Sequence, residues 1–145
     1  MFASPSWSAS PVAAKRCQME RAEAKALLLL VNGQWWAQWL HHSPNESFDP
    51  VARQLAAAQG TRPGFPDYVM PIRSGGFKGL AFELKAPRPW GKNETLHQRG
   101  WLDCFSRAGW FTGVPFGAEE AAALCFSYMD GTDAPRDDWT GGRVA

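Results

Sequence analysis

The sequence predicts an α/β domain, a mixed sheet with helices on its faces, and three observations carry that reading. Two strand-like runs, 64–70 and 80–85, flank the turn Arg73-Ser74-Gly75-Gly76. In the second run Leu80, Phe82 and Leu84 alternate with Ala81, Glu83 and Lys85, the period-two signature of a strand with one apolar face. Helical runs with recognisable start and stop residues lie on either side of this pair. Finally, the stretch from Leu80 to Phe116 reads strand, helix, strand, a crossover that sets its two strands parallel in one sheet.

Taken in order, residues 1–14 are rich in Ser, Ala and Pro and read as a flexible lead. From Lys15 to Val31 propensity and period favour a helix, which Asn32-Gly33 stops. Trp35 to Leu40 reads as a short strand or a continuation of that helix. His41 to Glu46 reads as a loop, by its Pro and Asn. Asp49 and Pro50 are an N-cap and first helical residue, and the helix they open ends at Gly60. After the hairpin, 86–93 is a loop with two prolines and Trp90. Thr95 and Gln98 have capping-box spacing and open a helix with Trp101, Leu102, Phe105 and Ala108 inward and Gly109 at its end. Trp110 to Phe116 is a further strand and Gly117 to Met129 a last helix. Residues 15–130 therefore form the expected domain, and 131–145 a polar tail.

A chain of 145 residues suffices for one domain with a core and not for two. Leu27 to Val31 is the longest aliphatic run and reads as a core stripe; a membrane span is excluded by length. The N-terminus lacks the order of a secretory signal, so a cytoplasmic location is expected. The three cysteines, Cys17, Cys104 and Cys125, lack zinc-ligand spacing and read as buried reduced thiols. A net charge of +1 argues against coating nucleic acid by bulk charge. Between Arg73 and Arg99, however, six Lys and Arg face only Glu83 and Glu94, a local charge of +4 suited to a phosphate backbone.

That basic stretch surrounds the most informative residues. Glu83 and Lys85 share one strand face, the one pointing away from the core by the alternation above. Asp67, on the first strand of the hairpin, can reach the same space. Two carboxylates and an ammonium converging there suit a divalent cation and the water it polarises.

At this point the chain resembles a VRR-NUC domain, the virus-type replication-repair nuclease branch of the PD-(D/E)XK superfamily. The resemblance runs from about Glu20 to Met129. It rests on a glutamate-bearing first helix, His42-Ser43-Pro44-Asn45-Glu46, a helix ending in Gly60, Gly64-Phe65-Pro66-Asp67, Glu83-Leu84-Lys85, and Gln98 followed by Trp101 and Gly109. It implies an αβββαβ core with a mixed sheet flanked by helices, and a Mg2+- or Mn2+-dependent endonuclease acting on DNA. Stand-alone members of this size resemble phage-type enzymes acting on branched DNA such as four-way (Holliday) junctions. That implies a bacterial or phage-infected host cell, and a homodimer suits the two symmetric strands of a junction. Other substrates for the same site are flaps, single strands or RNA, and the non-enzymatic alternative is a branched-DNA binding module.

Carried over residue by residue, Asp67 and Glu83 match the metal-binding carboxylates and Lys85 the catalytic lysine. Gln98 matches the glutamine that follows the motif, although its place also suits a simple helix cap. The first-helix glutamate falls on Glu23, with Glu20 one turn earlier as the competing choice. Arg73, Lys78, Arg88 and Lys92, with Arg62, are the candidates for substrate phosphates, and Trp90 for an unpaired base. His42 and Asn45 are weaker candidates, since a loop histidine is more often a surface residue and an Asn after Pro more often fixes a turn.

Overall fold

Ser10 opens the first helix by accepting a hydrogen bond from the Ala13 N–H at 3.2 Å, with a proline in the first turn, so α1 runs Pro11–Val31. The computed structural model describes residues 10–43 and 49–131; Asn45 with its neighbours Pro44 and Glu46, and most of the lead and tail segments, lie outside the described residues. The helix starts four residues earlier than the sequence reading placed it, because Ser10-Pro11 is itself a helix-start signal. Residues 11–14 thus belong to α1 and not to a flexible lead. Its stop at Asn32-Gly33 is as expected, with Gly33 at φ 85°.

Trp35 to Leu40 holds a single 3-10 turn, Ala37–Trp39, rather than a strand or more α-helix. The strand follows at once: His41–His42, read from sequence as loop, is β1. Asp49 accepts the Val51 N–H at 3.0 Å and opens α2, Pro50–Ala58. Then come β2 (Tyr68–Met70), β3 (Leu80–Phe82), α3 (Leu96–Arg107), β4 (Phe111–Gly113) and α4 (Ala118–Asp130). The four strands form one sheet in the order β1-β2-β3-β4, antiparallel for the first two pairings and parallel for β3 with β4. This is a mixed sheet with an αβββαβ order, to which α2 is inserted and α4 appended.

β3 is central, and its two faces are covered differently. Leu80, Phe82 and Leu84 join Leu27 and Val31 of α1 and Ala121, Cys125 and Tyr128 of α4 in the apolar core. The opposite face carries Ala81, Glu83 and Lys85 and lies under α3. Glu83 is 3% exposed and Lys85 7%, so these charges do not face solvent as the alternation suggested. A second layer hides them. The aliphatic run of α1 is also thinner in the core than expected. Leu27 and Val31 are buried while Leu28, Leu29 and Leu30 are exposed, since one helix face cannot hold five consecutive residues. Among the cysteines only Cys125 is buried, and burial pushes its thiol up to about 12; Cys17 is half-buried and Cys104 exposed. No helix among the described residues is long and apolar enough to cross a membrane.

The loop before β2 is clamped to α3. Trp101 donates its indole N–H to the Pro63 carbonyl at 3.0 Å, and Phe65 stands edge-on to Trp101 and Phe105 with centroids 5.1 and 5.8 Å away. Trp101 and Phe105 are half-buried by this contact, whereas Ala108 caps the helix and is exposed. Gly64 makes the clamp possible. It has φ 86°, and a Cβ there would stand 2.5 Å from the His97 carbonyl carbon. Gly64→Ala is expected to destabilise the fold by about 1–3 kcal/mol, read as a lower urea midpoint with unchanged slope.

Candidate active site

The clamp brings the start of α3 over the ends of β2 and β3. Tyr68 pairs with Phe82, and continuing that register by one step sets Asp67 opposite Glu83. There the ladder gives way to a side chain: Asp67 Oδ2 accepts the Leu84 N–H at 2.9 Å. Two carboxylates therefore meet where the hairpin strands part, with Lys85 two residues further along the same face.

Gln98 joins these groups. Its Oε1 accepts from the Thr95 N–H at 2.8 Å and from Lys85 Nζ at 2.9 Å, while its Nε2 donates to Glu83 Oε1 at 2.7 Å. The Gln98 N–H returns to Thr95 Oγ1 at 3.2 Å, completing the capping box. The cap reading of Gln98 is therefore realised, and the same side chain also contacts Glu83 and Lys85. A backbone N–H can only donate, so the Thr95 bond fixes which end of the amide is oxygen.

Asp67, Glu83, Lys85 and Gln98 line one cleft of about 330 Å3. Glu20 lines it too, from the N-terminal half of α1. Glu23 does not: its Oε2 accepts the Ala118 N–H at 2.6 Å, which caps the start of α4 in place of a side chain from Gly117. The preferred first-helix residue is therefore a cap for another helix, and the competing choice occupies the cleft. Sixty degrees of helix rotation separates the two positions, and the packing of α1 on α4 decides which turns inward.

The basic residues are also redistributed. Lys92 lines the cleft, as expected. Arg73 and Lys78 do not, because they flank the hairpin tip, which is docked on the end of α4 through the Gly75 N–H and the Gly131 carbonyl at 2.8 Å. From Lys78 to Glu83 is five residues of extended chain, roughly 16 Å at ~3.3 Å per residue. The Arg88 guanidinium lies over the Phe116 ring, 3.9 Å from its centroid, and Trp90 is covered by Lys15, whose Nζ is 4.4 Å from the ring centroid. In their place α1 contributes Arg16 and Arg21, which the sequence reading missed. The signal was present: Arg16, Glu20 and Arg21 fall on one helix face with Ala13, Cys17 and Ala24, at i, i+3 and i+4 spacing.

His42 also borders the cleft, stacked on Tyr68 with centroids 4.5 Å apart, and Tyr68 stacks on Phe82 at 4.8 Å. Partial burial, then the neighbouring His41, lower its pKa below the ordinary 6.5, so the ring is neutral at pH 7.

A structure search finds this architecture in a solved protein described as a "VRR_NUC domain protein", with a TM-score of 0.68 over 79% of this chain and 91% of that one, at 20% sequence identity. The fold is that of a VRR-NUC domain. No protein-family model and no curated protein matches the chain. That likeness covers the mixed four-stranded sheet and its flanking helices, the fold class expected from the sequence.

Among the described residues no three His, Cys, Asp or Glu side chains form a ready-made metal cage. A hard divalent cation does not need one. Mg2+ keeps several waters and is held by one or two carboxylates plus substrate oxygens, a donor set that Asp67 and Glu83, beside Glu20, would supply. If Glu23 is only a helix cap, Glu23→Ala should cost about 1 kcal/mol of stability in thermal unfolding and leave Mn2+ binding by calorimetry unchanged.

Proposed function

We propose that the protein is a Mg2+- or Mn2+-dependent endonuclease that hydrolyses DNA phosphodiester bonds, with Asp67, Glu83, Lys85 and Gln98 as its reacting and positioning groups. The observation that carries this reading is the convergence of both carboxylates and the lysine on one cleft beneath a single amide, within a VRR-NUC fold.

Asp67 and Glu83 would hold the cation, with Glu20 as a further carboxylate on the same cleft. Bound there, the cation supplies a water of lowered pKa and neutralises charge developing on the phosphate. Lys85 presents its ammonium as a point charge to the scissile phosphate or positions the attacking water. Gln98 holds Glu83 and Lys85 at fixed separation, so that neither must reorganise as charge develops. Its role is positioning.

The cationic side chains bordering the cleft are of the kind that meets phosphates, and phosphate contacts carry no base sequence. Selection by DNA shape follows, and a four-way junction, cut by a homodimer with one site per symmetric strand, is the substrate that suits it. The test is cleavage of labelled junction, flap and linear duplex with Mg2+ by wild type and by Glu83→Ala. Wild type should prefer the junction, and the substitution should lower the rate at least about a hundredfold, the size of effect seen when a transition-state contact is lost. Equal cutting by both proteins removes Glu83 from the mechanism.

A further inference from the structure

The cleft has two walls, and both are basic. One is the N-terminal half of α1, with Arg16 and Arg21; the other is the segment that leaves β3 and enters α3, with Lys92. Together with Lys85 they set four cationic groups against the three carboxylates Glu20, Asp67 and Glu83.

The second wall is not a loose loop. The Trp90 and Gly91 N–H groups both donate to the Pro87 carbonyl, at 2.8 and 3.2 Å. Gly91 presses so close to the preceding chain that a Cβ would stand 2.3 Å from the Ala86 carbonyl oxygen. Across the gap, Arg16 Nε donates to the Trp90 carbonyl at 3.3 Å, and Lys15 lies over the Trp90 ring. The two walls are therefore tied together at Trp90, two residues before Lys92. That tie joins the backbone segments that carry Arg21 and Lys92, both of which line the cleft.

A polyanion has reason to need them. Asp67 and Glu83 repel a phosphate backbone until a cation is bound, so its approach requires positive charge beside them and not one strand-length away. The hairpin tip, which holds Arg73 and Lys78, is at the far end of β3.

Resting on the nuclease reading, we infer that Arg21 and Lys92 are the substrate-binding residues, gripping the phosphate backbone of nucleic acid from opposite walls of the cleft. The backbone track thus runs between α1 and the segment before α3, leaving the hairpin tip outside it. Arg16 belongs to the same wall but also fastens Trp90, so it acts in part by holding Lys92 in place.

The test is equilibrium binding of a fluorescein-labelled four-way junction in EDTA, where no cutting proceeds, at several salt concentrations between about 50 and 200 mM. Arg21→Gln with Lys92→Gln should weaken binding about tenfold or more. It should also flatten the slope of log affinity against log salt by roughly 1–2, since each neutralised phosphate contributes ~0.9. Arg73→Gln with Lys78→Gln should leave affinity and slope as in wild type. Arg21→Lys with Lys92→Arg keeps the charges and should restore the slope, which separates loss of charge from loss of fold. An unchanged slope in the Arg21 and Lys92 glutamine variant, or a larger loss in the hairpin-tip variant, overturns the inference while leaving the nuclease reading intact. Failure of the wild type to bind any DNA in EDTA overturns the inference, whereas the nuclease reading stands or falls on cleavage with Mg2+.

Discussion

The Gln98 amide is the constraint on which the site and much of its surroundings depend. Glu83 and Lys85 are almost fully buried, and each ion taken from water without compensation costs several kcal/mol. One neutral side chain answers both, donating to the carboxylate and accepting from the ammonium. It can do so only while Thr95 holds it at the third position of α3. The first turn of α3 must then sit directly over β3, which is what Gly64 permits and the Trp101 bond to Pro63 enforces. A helix cap, a tight turn and the cluster of Glu83, Lys85 and Gln98 are thus parts of one unit.

That unit explains where sequence reasoning succeeded and where it failed. Pro66-Asp67, Glu83, Lys85 and Gln98 were legible because each is placed by local rules: strand alternation, hairpin pairing and capping-box spacing. The same rules misjudged the environment of Glu83 and Lys85. Alternation shows that a strand has two unlike faces, and it cannot tell a face open to water from one covered by a helix. Ala81 was the clue, since a small apolar residue on the charged face leaves room for a helix to approach.

The first helix was harder. Its existence and end were plain, yet which glutamate turns to the cleft depends on how α1 packs against α4, a contact between residues about a hundred positions apart. Glu23 turns away from the cleft for a physical reason: Gly117 offers no side chain to cap α4, so the helix draws its cap from α1. The basic residues misled in the opposite way. Arg73 and Lys78 are close to Glu83 in sequence and far from it along an extended strand, while Arg16 and Arg21 are distant in sequence and adjacent in space.

A neutral bridge also does what a direct ion pair would not. Had Lys85 closed fully onto Glu83, each charge would find its main partner in the other, and a cation or a phosphate would have to break that pair before binding. Gln98 satisfies part of each group's hydrogen-bonding demand, so the two side chains stay oriented on one face. In the proposed mechanism a divalent cation would use Glu83 and an incoming phosphate Lys85. Replacing the amide by a carboxylate or an ammonium would disturb this balance, because the bridge must donate to one neighbour and accept from the other. Among uncharged side chains of this length, only glutamine offers both ends.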